Sequence, residues 1–176
     1  MLMFKRLPIY QRAKFLSDAT LGASDGIVTT FAIITGSAGA SFSSNIVLIL
    51  GIAKVFADGV SMAAGNYLGV KSEIDYEEVK GKDGKKTGSP VIHGLASLIS
   101  FIISGLLPLL PFIFNIRHKY LLSTIIVATS LFFVGLLRSR YTKRGYIKSG
   151  IEMLAVGGFA ALVAYFAGFV LDTYLI

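Results

Sequence analysis

The chain has 176 residues, 54% of them apolar and 15% charged, against about 25% charged in an ordinary soluble domain. The charges are clustered, so long stretches have no polar surface to cover them, which excludes a soluble fold and predicts an all-α integral membrane protein. The formal charge of +7 does not point to nucleic acid, because the basic residues sit in short connectors and form no contiguous basic face. Cysteine is absent, which rules out disulfides and thiolate metal sites.

Residues 1–21 open the chain with an amphipathic segment. PIYQRAKFLSDATLG (8–22) alternates apolar and polar residues at helical spacing and suits a helix along the cytoplasmic interface; a simple basic stop for the first span fits equally well. A transmembrane helix needs about 20 mostly apolar residues. Five stretches meet that need, at about 22–43, 45–69, 91–114, 119–138 and 150–171, and together they form the transmembrane domain, 22–176. The first imitates a secretory signal, with basic residues ahead and Ala38-Gly39-Ala40 behind, but Asp25 inside it marks an uncleaved span.

The connectors carry turn chemistry, for example GKDGKKTGSP (81–90) and RSRYTKRGYIKSG (138–150). They also carry the positive charge. Of 17 Lys and Arg residues, 14 fall before the first span, between the second and third (Lys71, Lys80, Lys82, Lys85, Lys86), or between the fourth and fifth. Arg117 and Lys119 lie on the other side, and Lys54 within a span. The positive-inside rule then predicts a cytoplasmic N-terminus and an outer C-terminus.

In the first span, Asp25 with Thr29 and Thr30 places a carboxylate and hydroxyls on adjoining positions, and Gly22 and Gly26 allow another helix to come close. In the second, Lys54, Asp58, Met62 and Asn66 recur every four residues and form one stripe about 18 Å long. Each charge at the membrane centre costs about 2.5–3.5 kcal/mol, so the stripe must face protein or water. A Lys54–Asp58 salt bridge that only locks two helices explains part of it; the other reading is functional. Asp25 and Asp58 offer hard oxygens, Asn66 and the threonines neutral ones, and Met62 a soft sulfur, a mixture suited to a divalent transition metal. Methionine is also ordinary filler.

The third span carries Pro108 and Pro111, which predict a bend at its outer end. His93 reads as an interfacial residue in preference to a ligand, and Glu152 as solvated. Glu73, Glu77 and Glu78 follow helical spacing beyond the second span, as a solvated extension or as a cytoplasmic mouth that gathers cations. The fifth span has small residues, Gly157, Gly158, Ala161, Ala164 and Gly168, for packing. No nucleophile–base set and no phosphate-binding glycine loop is present, so no enzyme and no cofactor are expected.

LGASDGIVTTFAIITGSAG, then DGVSMAAGNYLGVKSE, then SPVIHGLASLISFIISGLLPLLPF resemble the vacuolar iron transporter family, in a short form without the cytoplasmic metal-binding domain. The resemblance runs through all five expected spans. It implies homodimers of five-span protomers that move divalent metals, chiefly iron and manganese, out of the cytosol against protons. It also implies a pathway at the dimer interface lined by the first helices, with ligand roles for Asp25 and Met62. Two departures stand out. Lys54 occupies the position, eight residues before Met62, at which metal-carrying members have Glu. Only about twenty residues separate the second and third expected spans, so the Glu- and Met-rich helical domain found there in plant and yeast-like members is missing.

The function expected is export of Fe²⁺ or Mn²⁺ from the cytoplasm, with Asp25, Asp58, Met62 and Asn66 as ligands, Lys54 as coupling group or counter-ion, Thr29 and Thr30 lining the path, and Glu73 and Glu77 at its mouth. A prokaryotic cell membrane is the expected location. The alternatives are a non-transporting regulatory or structural dimer in which Lys54 replaces the cation, and a carrier of another solute on the same fold.

Overall fold

The computed structural model describes residues 9–81, 88–142 and 145–174. Residues 1–8 of the amphipathic segment, with Lys5 and Arg6, lie outside the described residues, as do Lys82, Asp83, Lys85, Lys86, Lys143 and Arg144 of the charged connectors.

Every regular element among the described residues is a helix, with no strand among them. α1 covers Ile9–Gly39, α2 Ser44–Val79 and α3 Pro90–Leu106; a 3₁₀ turn at Leu107–Leu109 leads into the short α4, Leu110–Ile113; α5 covers Lys119–Thr142 and α6 Tyr146–Tyr174. The prolines of the third span interrupt its regular α-helical pattern. Each removes a backbone N–H, and the helix tightens to 3₁₀ at Leu107–Leu109 before resuming. Ser123 of α5 donates to the Pro108 carbonyl at 2.8 Å, pinning that turn to its neighbour. Lys80 caps the end of α2, and Gly81 adopts φ +71 as the chain leaves the helix, a conformation that glycine takes without strain.

Among the described residues, four helices are long and apolar enough to cross a membrane: Ser44–Val79, Pro90–Ile113, Lys119–Arg140 and Tyr146–Tyr174. The protein is therefore a multi-pass, all-helical membrane protein. α1 is not among the four. Its 31 residues run unbroken through both the amphipathic stretch and the expected first span, and it carries Asp18 and Asp25 as well as Arg12 and Lys14.

α1 is nevertheless the centre of the molecule. It packs along α3 on one side and α6 on another, with smaller contacts to α2 and α5, while α2 lies on α3 and α5 on α6. Ile27, Phe31 and Ile34 of α1 meet Val47 and Val55 of α2, Leu109, Phe112, Val127 and Leu131, and Ala161 of α6 in one buried core. Small residues set these distances. A Cβ on Gly26 would meet the Phe101 carbonyl oxygen at 2.5 Å, and one on Gly22 would strike Ser97 and Ser100. One on Gly168 would strike the Gly36 carbonyl. These are backbone-to-backbone approaches that any side chain would prevent. The outer surface is apolar, as lipid requires: Ile49, Val60, Ile103, Leu121, Phe133 and Phe159 are all exposed.

Candidate functional site

The sequence-predicted polar residues of α1 and α2 meet on one side of the molecule. Thr29 donates its hydroxyl to the Asp25 carbonyl one turn back, at 2.6 Å, which leaves its oxygen lone pairs facing α2. The Lys54 ammonium donates to that oxygen, and also lies 3.2 Å from the Asp58 carboxylate and 4.6 Å from the centre of the Phe101 ring. Lys54 is thus held by a hydroxyl, a carboxylate and an aromatic face, from three helices. Asp25, half-buried, lies within electrostatic reach of both Lys54 and Asp58.

The pair is unevenly sheltered. The Lys54 side chain is 14% exposed and that of Asp58 51%. Beside them, a cleft of about 580 Å³ runs between α1, α2 and α6, bordered by Ile33, Gly36, Leu50, Lys54, Ala57 and Gly168. A half-exposed carboxylate in an apolar span is costly against lipid, so this face calls for a polar or protein cover.

Other predicted residues lie apart from that group. Met62 is half-buried on α2. Asn66 turns its amide nitrogen to α3, donating to the His93 carbonyl at 3.1 Å and to Ser97 Oγ at 2.7 Å. Thr30 is fully buried, its hydroxyl close to Gly105 of α3 and without a hydrogen-bond partner. Glu73 lies beyond the apolar part of α2, where it accepts a hydrogen bond from Tyr10 at 2.5 Å and an ion pair from Lys14. That carboxylate holds the phenolic proton and pushes Tyr10 above the ordinary phenol range. Glu77 is half-buried one turn further on, near Tyr10. Among the described residues, no three His, Asp or Glu side chains converge to enclose a metal ion.

One polar pair escapes the sequence reading. His93, expected at the interface, is only 3% exposed, and its Nδ1 sits 2.5 Å from the Asp18 carboxylate. Burial of one ring nitrogen against a carboxylate is what keeps both groups tolerable inside the bundle. A signal for it existed: Tyr10, Lys14 and Asp18 recur every four residues on α1, the same spacing that exposes the α2 stripe. Glu152, expected in solvent, is exposed and 3.7 Å from Arg138.

Comparison with known proteins bears on this arrangement. The VIT family model matches residues 16–86 and 77–169, in two pieces that meet at the connector after α2. The chain is 32% identical over 165 residues to vacuolar iron transporter homolog 4 of Arabidopsis thaliana, covering 89% of this chain and 83% of that protein. It is 30% identical over 164 residues to homolog 3 of the same plant, covering 88% and 82%. With vacuolar iron transporter 1 of Oryza sativa subsp. japonica the identity is 25% over 214 residues, covering 89% and 85%. These relatives are plant proteins named for the vacuole, which gives no support to the expected prokaryotic cell membrane. On the match across most of its length, the chain belongs to the VIT family, a family whose relatives are named as iron transporters.

Proposed function

We propose that the chain is a homodimeric divalent-metal transporter with α1 as a fifth span, its N-terminus in the cytoplasm, exporting Fe²⁺ or Mn²⁺ in exchange for protons. The observation that carries this reading is the meeting of Asp25, Thr29, Lys54 and Asp58 on one face with a half-exposed carboxylate and an open cleft beside it. Among the described residues of one protomer, too few acidic groups come together to enclose an ion. A second copy across the cleft would double the set and shelter Asp58 from lipid. Asp25 and Asp58 would supply charge, Met62 a preference for transition metals, and Asn66 a neutral oxygen on the cytoplasmic side. Thr29 would line the path, and Glu73 and Glu77 would stand at its mouth; Thr30, fully buried against Gly105 of α3, lies off that path.

Lys54 would act as the internal counter-ion of Asp58, giving way when a metal arrives. A test is Mn²⁺ uptake by proteoliposomes: Asp25→Asn is expected to lower the rate at least about tenfold, the loss of one charged ligand. An unchanged rate would sink the assignment.

The specific hold on Lys54 favours a second reading, a regulatory dimer in which the ammonium permanently fills the cation position. Lys54→Glu separates the two. Flux gained from a silent parent supports the regulatory role, and loss of existing flux supports the counter-ion role.

A further inference from the structure

A second cleft, of about 450 Å³, lies where α1, α5 and α6 meet, on the α1 face opposite Thr29. It sits at the end of the molecule where α5 leaves its apolar run and α6 begins, with Arg138 on its wall. Its walls are of two kinds. Leu16, Leu21 and Met153 give an apolar slot, and Ser17, Thr20 and Thr142 line it with hydroxyls beside the Arg138 guanidinium.

Arg138 is not used up by its neighbour. Its nitrogen is 3.7 Å from Glu152 Oε2, well outside the roughly 2.7–2.9 Å of a close charge-assisted hydrogen bond, and a guanidinium has five N–H donors. Thr142 donates to the Arg138 carbonyl at 3.1 Å, so its oxygen can still accept and its position is fixed beside the cation. A rim with one planar cation above an apolar slot matches an amphiphile whose head is a phosphate and whose tail is hydrocarbon. A choline head would bring a fixed positive charge next to Arg138; a glycerol head would not.

We propose that this cleft binds an anionic phospholipid, its phosphate on Arg138 and an acyl chain between Leu16, Leu21 and Met153. The lipid then touches α1, α5 and α6 at once and braces the helix that carries Asp25. The proposal does not depend on which ion is carried.

The test uses the full chain in nanodiscs of phosphatidylcholine alone or with one quarter phosphatidylglycerol, reading the thermal unfolding midpoint and the lipid retained in native mass spectrometry. Phosphatidylglycerol is expected to raise the midpoint and to be retained. Arg138→Gln should weaken retention about tenfold, the loss of a charge-assisted contact. Thr20→Phe, which fills the cleft but keeps the charge, should lose it as well. Glu152→Gln, which removes the competing carboxylate, should retain the lipid at least as well as the parent and shows that the site tolerates substitution. Equal dependence on phosphatidylglycerol in parent, Arg138→Gln and Thr20→Phe would overturn the proposal. So would a midpoint shift of the same size from inorganic phosphate added to phosphatidylcholine discs.

Discussion

α1 and α6 are close in length, 31 and 29 residues, and they pack against each other along the bundle, yet they are built on opposite plans. α6 is apolar on nearly every side, and only 11% of its most apolar stretch is buried. α1 carries aspartates, serines and threonines, and contributes Ile27, Phe31 and Ile34 to the core. In water the buried helix would be the apolar one. Here the solvent of the outer surface is hydrocarbon, so the helix facing it must be apolar. The helix walled in by its neighbours can hold polar groups, most readily where they find partners, as Asp18 does in His93 and Thr29 in Lys54. The same contrast appears in the glycines. Those of α1 meet other backbones, as does Gly168 of α6 where it lies on Gly36, whereas Gly158, on the outer side of α6, has nothing within 4 Å.

Substitutions that move each helix toward the other's plan test this contrast. The largest effect is expected from His93→Ala, which leaves the Asp18 carboxylate buried without its partner; breaking a buried pair costs about 3–5 kcal/mol. Unfolding in detergent should show it, and Asp18→Asn with His93→Ala should recover part of the loss. Phe159→Asp puts a charge on the lipid face of α6 and should cost about 2.5–3.5 kcal/mol, read as reduced insertion in a glycosylation-mapping assay. Gly26→Leu forces α1 away from α3 and is expected to cost about 1–3 kcal/mol of thermal stability, while Gly158→Leu, facing open space, should fall within about 0.5 kcal/mol of the parent. Equal losses from the two glycine changes would break the contrast.

The smallest effect concerns the clasp of Tyr10 on Glu73 at the charged end. Because the phenol is raised above its ordinary value, about 10, the bond contributes fully below that value and is lost as pH rises through the folded one. Tyr10→Phe should therefore unfold slightly earlier than the parent at neutral pH, with the gap closing only in alkali. A gap that widened with alkali would show that the bond is not what holds the two helix ends.

Four spans were legible from composition alone, because an unbroken run of some twenty apolar residues has few other uses. So were an interruption of the helix at Pro108 and Pro111, seen as the 3₁₀ turn, and the close approach at Gly22 and Gly26, since both follow from local backbone chemistry. Periodicity also aligned Lys54 with Asp58, because residues four apart share a helix face whatever surrounds them. What the chain could not state is which neighbour each face would meet. Asp18 and His93 are 75 positions apart, and only the packing of α1 on α3 brings them to 2.5 Å. Asn66 and Thr30 turn to α3 for the same reason, and Lys54 gains Thr29 and Phe101 only because α1, α2 and α3 converge there. Local order is a property of spacing along one helix; partnership between helices is decided by how their ridges and glycines fit, which is a property of the assembled bundle.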